Sequence, residues 1–192
     1  GIWGNGGWVD ASDQVAVFGA GPVGLSALMT AKMSGAATIL IDPLSFRRDT
    51  ALRFGADEAV DPAREGWKER VLELTRGRGP SLLVEASGND AAISSLFEIA
   101  GHSARVRLIG HSIGHKIPIE IGRTIWRTLS ITGSGGTRNY GQRTIRFMDR
   151  MRGRFNVTDL ITHRFPFRKI HEAFDVAAKN KDKALKVMLN FD

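Results

Sequence analysis

Short apolar runs alternate with longer amphipathic stretches along the first two-thirds of the chain. Val15–Phe18 (VAVF), Thr38–Ile41 (TILI), Glu58–Val60, Ser81–Glu85 (SLLVE), Val106–Ile109 and Leu129–Thr132 read as strands. Runs that are apolar without alternation suit parallel strands covered on both faces. Between them, Val23–Met33 is apolar almost all round and stops at Gly35, Ser45–Phe54 stops at Gly55, and Glu65–Arg76 has one polar face. Asp90–Ala100 reads as a further helix with Asp90 as its N-cap. Lys116–Ile121 alternates like a strand, although Pro118 interrupts it. Strand and helix in turn, with short connections, predict an α/β fold: a doubly wound, mainly parallel sheet. After Gly136 the texture changes to a basic helix (Tyr140–Arg152), a strand (Leu160–Phe165), a helix (Lys169–Ala178) and a last strand (Lys186–Asn190).

Composition narrows the chemistry. The 192 residues contain no cysteine, which removes disulfides, iron–sulfur clusters, thiolate nucleophiles and cysteine-ligated zinc from what these residues can build. No apolar stretch approaches the roughly 18–20 residues of a membrane span, and Gly1–Asp10 (GIWGNGGWVD) lacks the basic start and apolar run of a signal peptide. The expectation is a soluble cytoplasmic protein with no membrane partner. The net charge of +7 is uneven: residues 1–103 carry nine basic and thirteen acidic side chains, residues 104–192 eighteen and seven. Such asymmetry suits an anionic ligand or partner without identifying one.

The sharpest local signal is Gly19-Ala20-Gly21-Pro22-Val23-Gly24, a G-x-G-x-x-G that leaves a strand and opens a helix. In that context the first glycine makes a tight turn and the second lets backbone approach a pyrophosphate. The third lets helix and strand pack closely, while the helix N-terminus offers N–H groups to the phosphates. Pro22 suits the first helical turn, where its missing N–H costs nothing. Asp42, 21 residues beyond Gly21 at the end of the second strand, is placed to accept hydrogen bonds from an adenosine ribose.

Val15–Leu25 (VAVFGAGPVGL), Asp42 with Arg47, Gly55-Ala56-Asp57, Val84-Glu85-Ala86-Ser87-Gly88 and Leu160–Asp175 (LITHRFPFRKIHEAFD) together resemble the zinc-dependent alcohol dehydrogenases of the medium-chain dehydrogenase/reductase family. The resemblance implies the cofactor-binding C-terminal half of such an oxidoreductase, with NAD as cofactor and an alcohol or polyol as substrate. It implies that Gly19, Gly21, Pro22, Val23 and Gly24 hold the pyrophosphate, that Asp42 holds the ribose with Arg47 beside it, and that Ala86 and Ser87 line the adenine-to-ribose groove. Ile109, Gly110 and His111 would meet the nicotinamide end with Thr132 opposite, and Lys186 would reach a cofactor phosphate. It also implies a homo-oligomer joined through Leu129–Thr132. The expected division is a tail at 1–13, a dinucleotide-binding domain at 14–135 and the C-terminal return of the catalytic domain at 136–192. Two departures stand out. Gly35 to Asp42 is one residue shorter than usual for the family, and the cysteine and Gly-His-Glu motif that hold its catalytic zinc are not in this sequence. Zinc is therefore expected only in the catalytic half, no catalytic or metal residue is assigned here, and this chain alone should be inactive.

Four other readings compete. Gly110-His111-Ser112-Ile113-Gly114 matches the G-x-S-x-G elbow of serine hydrolases, but an elbow runs straight into a helix and Lys116–Ile121 does not read as one. His111 and His115 have the i,i+4 spacing of a metal pair, yet glycine, serine and proline around them argue for a loop, with Glu120 the only near carboxylate. Arg143, Arg146, Arg150 and Arg154 share one face of the basic helix. Without aromatic residues interleaved on that face, a solvated surface is the plainer reading than nucleic-acid binding. A binding-only nucleotide sensor would use the glycine turn without hydride chemistry.

Overall fold

The computed structural model describes residues 9–111, 113–135 and 141–191. The chain forms two compact units, Gly1–Gly136 and Thr137–Asp192.

The first unit is built on six strands: β1 (Gln14–Phe18), β2 (Ala37–Ile41), β3 (Glu58–Val60), β4 (Leu82–Glu85), β5 (Arg105–Leu108) and β6 (Ser130–Gly133). They pair in the order β3-β2-β1-β4-β5-β6, and every pairing is parallel. Helices α1 (Pro22–Met33), α2 (Ser45–Arg53), α3 (Trp67–Leu74), α4 (Asp90–Ile99) and α5 (Ile121–Trp126) connect them. Val15, Ala16 and Val17 of β1 and Leu83 and Val84 of β4 are completely buried, which is why these strands are apolar without alternation. One core cluster joins Ala16, Phe18, Ile39, Leu83 and Val106 of the sheet to Val71 of α3 and to Ile93, Leu96 and Phe97 of α4. Strand order reverses between β1 and β4, the point at which open α/β sheets characteristically bind ligands in a crevice outside the C-terminal ends of the strands.

The short spacing before Asp42 does not disturb β2, which pairs with β1 residue for residue from Gln14↔Ala37 to Phe18↔Ile41. Residues 9–13, read from sequence as the end of a tail, are tied to the sheet: Val9 is buried, Asp13 accepts a hydrogen bond from Ser81 Oγ (2.7 Å) and pairs with Arg105. Asp90 is not a cap. Asn89 is, its side-chain oxygen accepting from Ala91 N (3.0 Å) and Ala92 N (3.2 Å), because its extended backbone aims the side chain back at the first turn. Lys116–Ile121 forms no strand. The neighbouring place beside β5 is filled by β6, and Ile121 instead begins α5, a six-residue helix that the alternation pattern concealed. Glu65–Arg76 shortens to α3, whose left-handed Gly66 precedes its first turn.

The second unit contains α6 (Gly141–Met151), β7 (Ile161–Pro166), α7 (Ile170–Lys179) and β8 (Lys186–Asn190). β7 and β8 pair in parallel with one irregularity between Ile161 and His163. Phe167 is half exposed and stacks on Phe191 with ring centroids 4.8 Å apart. Among the described residues no helix is long and apolar enough to cross a membrane.

Candidate functional site

The glycine turn occupies the crevice edge at the end of β1. Gly19 has φ +91°, and its N–H donates to Ile41 O (2.9 Å), pinning the turn to β2. A side chain on Gly19 would lie 2.8 Å from Ser87 Cα, and one on Gly24 would run into the Gly19 carbonyl. Both positions therefore exclude a Cβ for packing reasons. Gly21 is different: it is the N-cap of α1 with ordinary extended backbone (φ −72°, ψ 176°), and a Cβ there would meet only Arg47 Nη1, at 4.0 Å. No side chain caps this helix, and its first turn carries no acid. A helix N-terminus left open in this way, with backbone approachable above Gly21, is shaped and polarised for an anion.

Asp42 follows β2 and is almost wholly buried. Its Oδ2 accepts from Ala20 N inside the glycine turn (2.8 Å) and its Oδ1 from Leu44 N (2.9 Å). A carboxylate has about four acceptor positions, and these two bonds take one on each oxygen. The second arginine of the pair is engaged elsewhere. Arg48 donates to Asp42 O (2.8 Å) and Pro43 O (2.7 Å) and pairs with Asp61 at 3.0 Å. Arg47 is thus the guanidinium that lies over Gly21.

On the other side of the crevice, Ala86 N donates to Phe18 O (2.9 Å), and Ser87 packs under Gly19. The fully buried Glu85 organises this loop: its Oε1 accepts from Ser87 N (2.7 Å), Ser87 Oγ (2.5 Å) and Gly88 N (3.0 Å). Ile109 N donates to Glu85 O (2.9 Å), and a Cβ on Gly110 would lie 2.5 Å from Glu85 Oε2, so the loop after β5 is pressed against the loop after β4. His111 Nε2 stands 3.7 Å from Glu85 Oε2. Thr132 lies on β6 in register with Arg107. The first unit therefore brings Gly19–Gly24, Asp42, Arg47, Ala86, Ser87 and Ile109–His111 to the C-terminal ends of its central strands. Lys186 belongs to the second unit, at the first position of β8.

The sequence profile of the zinc-binding dehydrogenases matches residues 22–151. The chain belongs to that family. It is 32% identical over 175 residues to the L-threonine 3-dehydrogenase of Bacillus licheniformis, covering 89% of this chain and 50% of that protein. Two solved structures are similar throughout. An alcohol dehydrogenase of Escherichia coli CFT073 in complex with NADH has a TM-score of 0.86 at 26% identity, covering 95% of this chain and 53% of the other. The zinc-dependent alcohol dehydrogenase 2 of Streptococcus pneumoniae, in its apo form, has a TM-score of 0.87 at 28% identity, covering 96% and 53%. The chain thus spans about half the length of the relatives it matches.

The donor set suits a dinucleotide: the helix N-terminus at Gly21 has no side-chain cap, and the Asp42 carboxylate is hydrogen-bonded to the same glycine turn. It does not suit the family's zinc, since the cysteine ligand of that site is absent from the sequence. The hydrolase reading loses its context. Ser112 lies outside the described residues, and among those described after it no helix begins until Ile121. Sequence reasoning missed Glu85 as the organiser of the site. The signal was present, as an acid ending an otherwise apolar strand and followed by Ser87 and Gly88. It also took Glu120 as the carboxylate nearest the histidines, whereas Glu120 pairs with Arg123 (2.9 Å) and His115 meets Asp90.

Proposed function

We propose that this chain is the NAD(H)-binding portion of a dehydrogenase that acts on an alcohol or polyol. The observation that carries the proposal is the uncapped N-terminus of α1 at Gly21, where an added Cβ would meet only Arg47 Nη1 at 4.0 Å, with Asp42 bonded to the same turn. The NADH held by the Escherichia coli alcohol dehydrogenase, whose fold this chain shares, supports it. In this reading the backbone of Gly19, Gly21, Pro22, Val23 and Gly24 receives the pyrophosphate. Asp42 accepts the adenosine ribose hydroxyls and opposes a 2′-phosphate by charge, with Arg47 alongside. Ala86 and Ser87 line the groove between them, Ile109, Gly110, His111 and Thr132 border the nicotinamide end, and Lys186 supplies a cation to a phosphate.

The nicotinamide, when bound, supplies the hydride acceptor or donor; the residues of this chain bind and orient it. Stabilising the substrate oxygen requires a metal or acid beside it, and the zinc ligands of the family lie in the half that this sequence does not include. We further infer pairing of two copies through β6. It is one of the two outer strands of the six-stranded sheet, Ile131 on it is 37% exposed, and Ile125 (73%) and Trp126 (78%) are exposed apolar side chains on α5, the helix that precedes it in the chain.

Calorimetric titration with NAD and NADP, and absorbance of reduced nicotinamide across a panel of alcohols and polyols, test the assignment. NAD should bind more tightly than NADP, with no turnover by this chain alone, with or without zinc. Equal or tighter NADP binding removes the role given to Asp42, and turnover by the isolated chain removes the reading of it as the cofactor portion only.

A further inference from the structure

The loop after β5 and the first turn of α4 bring together three side chains whose joint arrangement the cofactor site does not explain. Asp90 Oδ1 is 2.8 Å from His115 Nε2, and the rings of His111 and His115 stack with centroids 4.9 Å apart and planes within 16°. One ligand-type atom from each of Asp90, His111 and His115 lies within 4.8 Å of the other two. A second observation lies on the Glu85 side of the His111 ring. His111 Nε2 is buried with no hydrogen-bond partner among the described residues, and so is Glu85 Oε2, 3.7 Å away. Glu85 has no solvent-exposed surface at all.

We propose that Asp90, His111 and His115 form a binding site for a divalent transition-metal cation. Two imidazoles and one carboxylate make a nitrogen-rich set that suits zinc, cobalt or nickel and not the oxygen-seeking magnesium or calcium. Three protein ligands and a water complete a four-coordinate shell of the open kind. Donor atoms on a tetrahedral zinc stand about 3.3 Å apart, from bonds of roughly 2.0–2.1 Å. The present separations close to that by side-chain rotation: the side chains of His115 and Asp90 are 42% and 62% exposed, and their 2.8 Å contact with each other would be exchanged for contacts to the ion. A ligating histidine characteristically donates its other ring N–H to a carboxylate that fixes its orientation. Glu85 stands where it can accept from His111 Nε2, about half an ångström beyond ordinary N–H···O length, which leaves Nδ1 as the ligand atom. Binding would couple the loop that carries Ile109–His111 to the first turn of α4, converting a loop held by its glycine contacts into one cross-linked across the ends of β4 and β5. The proposal does not rest on the cofactor assignment, and its test uses no nucleotide.

The untagged protein, stripped with chelator and desalted, is titrated with CoCl2 by visible absorption and with ZnCl2 by calorimetry. One ion per chain should bind at micromolar concentration, with cobalt giving the intense visible bands of a four-coordinate nitrogen–oxygen site. His115→Asn and Asp90→Asn should each weaken binding at least about 100-fold, beyond the roughly 10–100-fold typical of residues that only support a ligand. Neither change removes the helix cap, which is Asn89, and unfolding curves check that both variants are folded. Absence of a stoichiometric site in the parent overturns the proposal. So does a loss of less than tenfold in either variant, which would place any bound ion on other histidines.

Discussion

Gly21 and Gly24 stand three residues apart in one motif, yet valine at the first and alanine at the second should fail in opposite ways. Gly21→Val puts a side chain into space where the nearest atom is Arg47 Nη1 at 4.0 Å, on backbone (φ −72°, ψ 176°) that a β-branched residue adopts without strain. Loss of glycine's freedom in the unfolded chain contributes about 0.4–1 kcal/mol of stability, so the variant should unfold within about 1 kcal/mol of the parent. The same side chain stands where a pyrophosphate would meet the helix N-terminus, and NAD affinity should fall at least about 100-fold, or 2.7 kcal/mol by RT ln of that ratio. Gly24→Ala reverses the pattern. Its Cβ would run into the Gly19 carbonyl oxygen and lie 3.0 Å from the carbonyl carbon, both backbone atoms held by the β1–β2 pairing. Overpacking of this kind costs about 1–3 kcal/mol, against which alanine's better helix propensity returns at most about 1. Urea unfolding and calorimetric titration with NAD, run on both variants, separate the two effects. Parental NAD affinity in Gly21→Val would refute the placement of the phosphates above this turn. Parental stability in Gly24→Ala would refute the close approach of α1 to β1.

Asp42→Ala should cost about 2 kcal/mol in unfolding free energy, because it leaves Ala20 N–H and Leu44 N–H without their acceptor; a loss below about 0.5 kcal/mol would mean that the turn does not depend on this carboxylate. Burial raises the pKa of Asp57, but hydrogen bonds from Lys32 and from Thr38 N–H and Oγ1 outweigh it and hold the carboxyl below the usual aspartate range. A depressed folded value means a contribution complete above the unfolded value of about 3.9 and lost as pH falls through the folded one. Asp57→Asn should therefore flatten the decline of stability below about pH 4, and an unchanged acid profile would remove the group from that decline. Ile131→Pro should shift small-angle scattering from dimer toward monomer by removing an N–H on the outer strand and distorting it; a parent that stays monomeric at high concentration would dispose of the β6 interface.

The path from Val15 through Gly19 and Gly24 into α1 was legible in the sequence because everything that shapes it is local. A buried strand needs a continuous apolar run, the turn needs glycine, and the helix start needs an open N-terminus within ten residues. The resemblance to the zinc-dependent alcohol dehydrogenases had the same origin, and the profile match over residues 22–151 and the solved structures agree with it. What only the tertiary structure decided is which loop ends meet. Asn89 rather than Asp90 caps α4, a choice set by backbone direction and not by residue type, since both can cap. Asp90 is thereby released to face His115, 25 residues further on, whereas neighbours along the chain suggested Glu120. Glu85 turns inward to three backbone and hydroxyl donors because β5 lies beside β4 and Gly110 presses on its carboxylate. Periodicity records which face of an element is apolar; it carries nothing about the partner that face or loop will find. That depends on a strand order, β3-β2-β1-β4-β5-β6, that only the pairing of the whole sheet establishes.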